Sequence, residues 1–395
     1  MATSRVLVSG ASIAGPTLAY WLHRHGFEVT VVEKAAGVRG GGYPIDIRGT
    51  ALDVVGRMGL LGAVRAADVD SRRITFLGPD GSLVASLEPE TVTGGVAGRD
   101  VELPRGALTG LLYDAVREDV EFVFGDSIAA LDDDGDGVDV TFTGGGRRRF
   151  DLVVGADGLH SATRALAFGP EEQFHRYLGY CFAGWTMPNS FGMSHEGTLW
   201  SVPGRGAVIY AVGDTDQVHG FLSFTRETPP FEAFRDPHAQ RDLVAARFAG
   251  DDVWEVPALV AGMRAGDDVF FDVVSQIRMP HWSTGRVGLV GDAAHAPSFL
   301  SGQGSSLALV GAYVLAGELA AAPTPREGFA RYERRLRDFV TQNQALADGG
   351  QTVIVPRTEE DIVRRDAALR GSGSLVADGG RPEHTALALP TYAAA

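Results

Sequence analysis

The chain has 395 residues, enough for two or three domains with sizeable cores, and its 45% hydrophobic and 22% charged content excludes a largely disordered chain. A formal net charge of -15 argues against nonspecific attachment to nucleic acid or an anionic membrane, although backbone amides can still hold a phosphate locally. Cys181 is the only cysteine, which excludes an internal disulfide and cysteine-based zinc sites, so a reducing cytoplasm is expected.

The chain starts on a strand pattern, RVLVSG, with no charged-then-apolar leader, so no secretory signal is expected. AGPTLAYWLHRHG follows with helical spacing, and FEVTVVEK is a second apolar strand ending at Glu33. Such a short crossover makes the two strands parallel neighbours. A Gly-rich loop (Arg39–Gly42), a helix near Thr50–Met58 and a helix from Arg105 to Glu118 come next, then strands VEFVFG and GVDVTFTG. The acidic turn between these strands, with Asp132, Asp134, Asp136 and Gly137, opens like a calcium loop. Its twelfth position is Thr143 where a Glu is needed, so a solvated hairpin turn is expected. FDLVVGADG is a further buried strand running into a loop.

From about Glu171 to Pro280 the texture becomes aromatic strands separated by Gly, Pro and Asp turns, with one helix at Pro237–Phe248. This reads as an inserted antiparallel sheet. Arg286–Asp292 returns to the buried-strand pattern, and helices Gly304–Ala321 and Pro325–Leu346 complete the core. The first of these is long enough to span a membrane, but Gly311, Gly317 and Glu318 favour a buried core helix. Beyond Ala347 the chain reads as a mixed tail.

GASIAG, Gly10 to Gly15, lies between the first strand and helix. Gly10 permits the tight turn, Gly15 permits helix–strand packing, and the helix N-terminus offers free amides to a pyrophosphate. Ser12 replaces the middle glycine of the usual fingerprint, with Ile13 and Ala14 beside it. Glu33, followed by Lys34, sits where an acidic side chain accepts ribose hydroxyls. The unit by itself fits NAD or FAD. Two further strand ends carry a carboxylate, Asp157 in GADGLHSATR and Asp292 in GDAAHAPSFLSGQGSS, and neither has a metal partner at helical or turn spacing. No metal site is expected.

These three motifs, in this order over residues 1 to 347, resemble the single-component FAD-dependent aromatic hydroxylases, the para-hydroxybenzoate hydroxylase-like group. The short members acting on polyketides and tetracyclines are the nearest. The resemblance implies an α/β fold: a Rossmann-like FAD-binding domain (1–70, 100–170 and 281–347), an inserted antiparallel β-sheet substrate domain (71–99 and 171–280), C-terminal helices, and a tail over 348–395. It implies that Glu33 binds the adenosine ribose and Arg105 the ribityl–phosphate region. Asp157, completed by Ser161 and Arg164, shapes the phosphate site, and Asp292 bonds a ribityl hydroxyl.

Gly291 is implied as a further cofactor-binding residue, and Pro297, Gly302, Gly304, Ser305 and Ser306 would lie by the isoalloxazine, the helix amides facing the edge that becomes negative on reduction. That accounts for a loop so empty of reactive groups, because the cofactor carries the reactivity. The chain departs from the family at Ser306, where Asn or Gly is common, and at Val310-Gly311, where an acidic pair is common.

The implied activity is monooxygenation. NADPH or NADH acts as transient reductant, O2 forms a C4a-hydroperoxyflavin, and an aromatic or polycyclic small molecule is hydroxylated, with epoxidation or Baeyer–Villiger oxidation as variants. Phe182, Trp185, Trp200, Tyr210, Phe221 and Phe224 are candidates to line its pocket, and the stretch Arg39–Gly49 is glycine-rich enough to let the flavin's cover move. His295 reads as a packed loop residue rather than a base, and His160, His195, His219 and His281 as unclustered. The five tryptophans form no Trp-x-Trp pair, against a flavin halogenase, and an NAD dehydrogenase would leave two motifs idle. A flavoprotein that only sequesters a drug-like ligand is the alternative from another class.

Overall fold

The computed structural model describes residues 4–38, 40–234, 236–372 and 380–393. Arg39, which opens the glycine-rich stretch above, and part of the expected tail lie outside the described residues.

Val6, Leu7 and Val8 are all fully buried, because the strand Arg5–Ser9 is covered on both faces. It pairs in parallel with Glu28–Glu33 on one side and Leu152–Gly155 on the other. Val287–Leu289 extends the parallel sheet beyond Leu152–Gly155, Glu121–Phe124 closes one edge, and Ser283–Thr284 closes the other antiparallel. Side-chain alternation splits the strand between two cores. Val6 and Val8 pack with helices, while Leu7 packs under an antiparallel meander of Ile128–Asp133, Val138–Phe142 and Arg147–Phe150. The acidic sequence is the tight turn of this meander, where Asp134 accepts from the amides of Asp136 and Gly137.

The helix Gly304–Ala321 is the one described helix long and apolar enough to cross a membrane, and most of it is buried inside the protein. It forms its own turns on the expected boundaries. The helix predicted to reach Glu118 ends at Asp114, followed by turns.

A second, seven-stranded sheet runs in the order Phe270–Ile277, His175–Pro188, Gln217–Thr225, Arg205–Ala211, Glu196–Val202, Arg73–Leu77, Leu83–Leu87. It is antiparallel except between Glu196–Val202 and Arg73–Leu77, which run parallel. One face, carrying Cys181, Trp185, Ile209, Leu222 and Phe224, packs on helices Pro237–Arg247 and Val256–Ala265. The second of these helices was not foreseen. On the other face, helices Ala347–Ile354 and Glu359–Ser372 cover one end. A short ribbon, Pro44–Ile47 against Val101–Pro104, bridges the two sheets. Its Ile45, Ile47, Val101 and Leu103 enter the helical core, so Asp46 and Glu102 point the other way, toward the seven-stranded sheet.

Candidate cofactor and substrate site

Three neighbouring parallel strands end together, at Gly10, at Ala156-Asp157 and at Val290-Gly291. A Cβ on Gly10 (φ +107°) would lie 2.5 Å from the Ala156 carbonyl oxygen, and one on Gly15 would lie 1.8 Å from the Gly10 carbonyl oxygen. Only glycine lets the turn, the next strand end and the helix Ala14–Arg24 approach so closely. Gly291 (φ +63°) is less tightly enclosed, its would-be Cβ 3.0 Å from the Ala14 Cβ. The crevice at the carboxyl ends of such strands is where α/β sheets bind ligands.

The Glu33 carboxylate accepts from the amide of Ala11 at 2.9 Å and that of Ala35 at 2.9 Å. Each oxygen keeps a lone pair for a further donor, as a ribose hydroxyl requires. Lys34 beside it is exposed. Ser12 accepts from Arg105 Nη2 at 3.2 Å. The Gly40–Gly42 loop lies on the start of the Arg105 helix, since a Cβ on Gly106 would meet the Gly40 carbonyl at 1.9 Å.

Asp157 is engaged with its own loop. It accepts from the Ser161 hydroxyl and from the amide and hydroxyl of Thr163, each of these two at 2.9 Å, while Ser161 caps the helix Ala162–Phe168. These bonds hold the loop's shape. Arg164, fully buried, pairs with Glu171 and donates to the Ala293 carbonyl at 3.0 Å, tying this loop to the one carrying Asp292.

Asp292 has no hydrogen-bond donor among the described residues. Its Oδ1 lies 3.8 Å from a would-be Cβ on Gly304, at the start of the buried helix. Burial raises its pKa, with Arg105 opposing and Asp272 reinforcing. Among the described residues nothing accepts from the amides of Gly304, Ser305 and Ser306, so a free helix N-terminus opens beside the carboxylate. The Ser306 hydroxyl accepts from the Arg48 amide at 3.2 Å, and the Pro297 carbonyl accepts from Gln276 at 3.0 Å. Gly302 adopts the left-handed conformation (φ +65°). His295 is buried behind the loop, with Nε2 3.3 Å from the Tyr332 hydroxyl, and burial lowers its pKa to about 3. It occupies the space beside Gly311.

Facing this crevice is an aromatic wall. Tyr43 meets Phe221 edge-on at 5.6 Å and Phe299 at 6.0 Å, and Phe299 stacks on Phe182 at 4.9 Å. Phe270, with its ring 5.6 Å from that of Phe182, and Phe299 are both exposed. Tyr43 is raised in pKa by burial and feels Arg105, Asp292 and Asp272, which places it between cofactor loops and sheet. Of the six aromatics expected here, Phe182 and Phe221 join the wall. Tyr210, on the same face, donates to Glu102 at 2.7 Å. Trp185, Trp200 and Phe224 belong to the core on the opposite face. Tyr43, Phe270 and Phe299 were missed because they come from three separate segments.

Three histidines expected to stand alone have acidic neighbours, the simplest case being His281, 3.5 Å from Glu333. His160 bridges Glu171 (2.8 Å) and Asp272 (3.3 Å), which raise its pKa to about 10 by hydrogen bonding, Asp272 contributing most. His195 lies beside Asp70 and Asp214.

Glycine-tight strand ends, a ribose-competent carboxylate and an unpaired helix N-terminus define a dinucleotide-binding α/β protein. More narrowly, the chain belongs to the FAD binding domain family, whose model matches residues 3–185 and 271–347. It is 45% identical over 361 residues to "Uncharacterized protein Rv1260" of Mycobacterium tuberculosis (strain ATCC 25618 / H37Rv), covering 91% of this chain and 96% of that one. It is 39% identical over 346 residues to a "Flavin-dependent monooxygenase" of an unknown prokaryotic organism, covering 87% and 88%. The crystal structure of tetracycline destructase Tet(55) superimposes with a TM-score of 0.85 at 34% identity, covering 99% of each chain. The chain is thus a flavoprotein oxidoreductase of the FAD-dependent monooxygenase type. Its residues fit FAD: Gly10 and Gly15 have no room for a Cβ, and Asp292 and the Gly304–Ser306 amides have no partners of their own among the described residues.

Proposed function

We propose that the protein takes two electrons from NADPH or NADH, as a transient reductant, and uses O2 to place one oxygen atom on a planar aromatic or polyketide-type molecule. The second oxygen atom leaves as water, which balances the two electrons and two protons supplied. Bound FAD would supply the redox chemistry that activates O2. The chain's own groups hold and orient it. The turn over Gly10, Ser12, Ile13, Ala14 and Gly15 receives the pyrophosphate, Glu33 the adenosine ribose, and Arg105 the ribityl–phosphate region. Asp292 takes a ribityl hydroxyl, and the amides of Gly304, Ser305 and Ser306 oppose negative charge on the ring. Residues 1–70, 100–170 and 281–347 form the cofactor half on this reading, 71–99 and 171–280 the substrate half, and 348–395 the tail. A reducing cytoplasm, where the buried Cys181 stays a thiol, suits it.

The observation that carries the substrate class is the aromatic wall of Tyr43, Phe182, Phe221, Phe270 and Phe299 beside Asp292 and the free helix amides. Flat apolar rings bind against such a wall with reactive atoms near the cofactor site. The likeness to a tetracycline destructase makes tetracyclines the first compounds to try. The test is the visible spectrum of the purified protein, followed without oxygen on adding NADPH, with and without tetracycline and other polycyclic phenols. A flavin band that bleaches faster with one compound, and an aerobic product heavier by one oxygen atom, are expected. Protein that takes up no FAD would refute the reading. Tight binding of a compound without faster NADPH oxidation would turn it toward sequestration.

A further inference from the structure

The C-terminal segment 380–393, which the sequence offers only as a weak tail, is packed into the cofactor half. The Thr50 hydroxyl donates to the Leu387 carbonyl at 2.9 Å, the Tyr313 hydroxyl to the Pro390 carbonyl at 2.8 Å, and the Tyr392 hydroxyl to Glu318 at 2.8 Å. Asn343 donates to the Glu383 carbonyl at 3.0 Å. At Gly49 (φ +54°) a Cβ would lie 2.1 Å from the His384 carbonyl oxygen, so the segment touches backbone there.

The deepest residue of this strap is His384, 4% exposed, and its Nε2 lies 3.0 Å from Gln303 Nε2. Gln303 is itself 1% exposed and ends the loop at the point where the helix Gly304–Ala321 begins. Its backbone is fully used, the amide donating to the Ser301 hydroxyl at 3.1 Å and the carbonyl accepting from Leu307 at 2.9 Å. Its side-chain amide also donates to the Gly302 carbonyl at 3.2 Å. The Gly302 carbonyl fixes the amide's orientation, so His384 presents an unprotonated Nε2 to it, while Gln303 Oε1 is buried with no partner among the described residues. Burial, then Arg48 and Arg381, lower the His384 pKa to about 3, which keeps that lone pair available at neutral pH.

The helix start is thus held from two sides, by the Arg48 amide on the Ser306 hydroxyl and by His384 on Gln303. We infer that His384 is a positioning residue for the cofactor: through Gln303 the C-terminal strap sets where the free amides of Gly304–Ser306 point. The inference rests on the FAD reading above.

The test is the FAD dissociation constant of the apoprotein, measured by quenching of FAD fluorescence, for wild type, His384→Ala, His384→Gln and Gln303→Ala. Losing the partner of a buried polar group predicts weaker FAD binding by about tenfold in His384→Ala and in Gln303→Ala. A glutamine carbonyl can stand where Nε2 stood, so His384→Gln should recover most of the affinity and the wild-type flavin absorption band. Simple loss of packing would instead lower the melting temperature of both His384 variants without separating their FAD affinities. The inference is overturned if His384→Gln binds FAD as poorly as His384→Ala, or if Gln303→Ala binds it as tightly as wild type. Should His384→Ala not fold, those two variants still decide. Wild-type protein that takes up no FAD would sink the functional reading and this inference together. Wild type that binds FAD alongside an unaffected Gln303→Ala would sink this inference alone.

Discussion

Replacing Gly15 by alanine puts one methyl group where the molecule has no space. The added carbon would sit 1.8 Å from the Gly10 carbonyl oxygen and 3.0 Å from its carbon. Both are backbone atoms of the turn, so no side chain can swing aside, and either the turn or the helix Ala14–Arg24 must retreat by more than an ångström. Overpacking of this kind costs about 1–3 kcal/mol, and a rigid neighbour favours the upper half of that range. If the displaced turn is the pyrophosphate seat, the cost falls on FAD binding as well as on folding. At roughly 1.4 kcal/mol per tenfold, FAD affinity should drop by about ten- to a hundredfold. Fluorescence titration of the apoprotein measures the affinity, and a thermal melt of the same sample measures the fold. Gly37→Ala is the internal control, because a Cβ there has no neighbour within 4 Å. Unchanged FAD affinity in Gly15→Ala, with the fold destabilised, would show that the turn is structural and the phosphate lies elsewhere.

Two further outcomes follow from titratable groups outside the cofactor cradle. Burial, and then the Asp46 charge, push Glu102 up from 4.5 to about 8, so the native carboxyl keeps a proton that the unfolded chain releases. The stability this gives is complete below about pH 4.5 and is lost as the pH rises through about 8. Wild-type apoprotein should therefore lose more melting temperature between about pH 6 and about pH 9 than Glu102→Gln, which still accepts from Tyr210. Parallel curves would refute the assignment. The Cys181 thiol is fully buried and pushed up to about 11 by that burial. Native protein should react with a thiol reagent only as fast as it unfolds, and complete labelling ahead of unfolding would contradict the packing.

The strand ends were readable because each couples a buried apolar run to glycine, Arg5–Gly10, Leu152–Asp157 and Val287–Asp292, and the last two add a carboxylate. Local sequence dictates a buried parallel strand and a tight turn, and nothing distant needs to be known. The aromatic wall was only half readable. Period-two alternation separates Phe182 from Trp185 and Phe221 from Leu222, but which face of the sheet meets Tyr43 and Phe299 is a tertiary fact. Tyr43 and Phe299 reach the wall from loops, where no periodicity exists to read. Helix Val256–Ala265 was hidden by its shortness and by Gly262 in its last turns. The strap over 380–393 has almost no regular structure, so its packing follows from close contacts such as Gly49 against His384 and Gly317 against Tyr392. The Asp157 carboxylate spends its bonds inside its own loop, which the motif alone does not reveal.

The order of strands in the parallel sheet has a consequence for how the protein is born. Arg5–Ser9 leaves the ribosome first, yet its neighbour Leu152–Gly155 pairs onward with Val287–Leu289, and the helix that seals the sheet begins at Gly304. The seven-stranded sheet, by contrast, has all its strands by Ile277. Translation at about 5–20 residues per second leaves the first strands waiting on the order of tens of seconds for these partners. During that interval the apolar edge of Leu152–Gly155 is uncovered, and the synthesising cell must keep it from pairing with other chains.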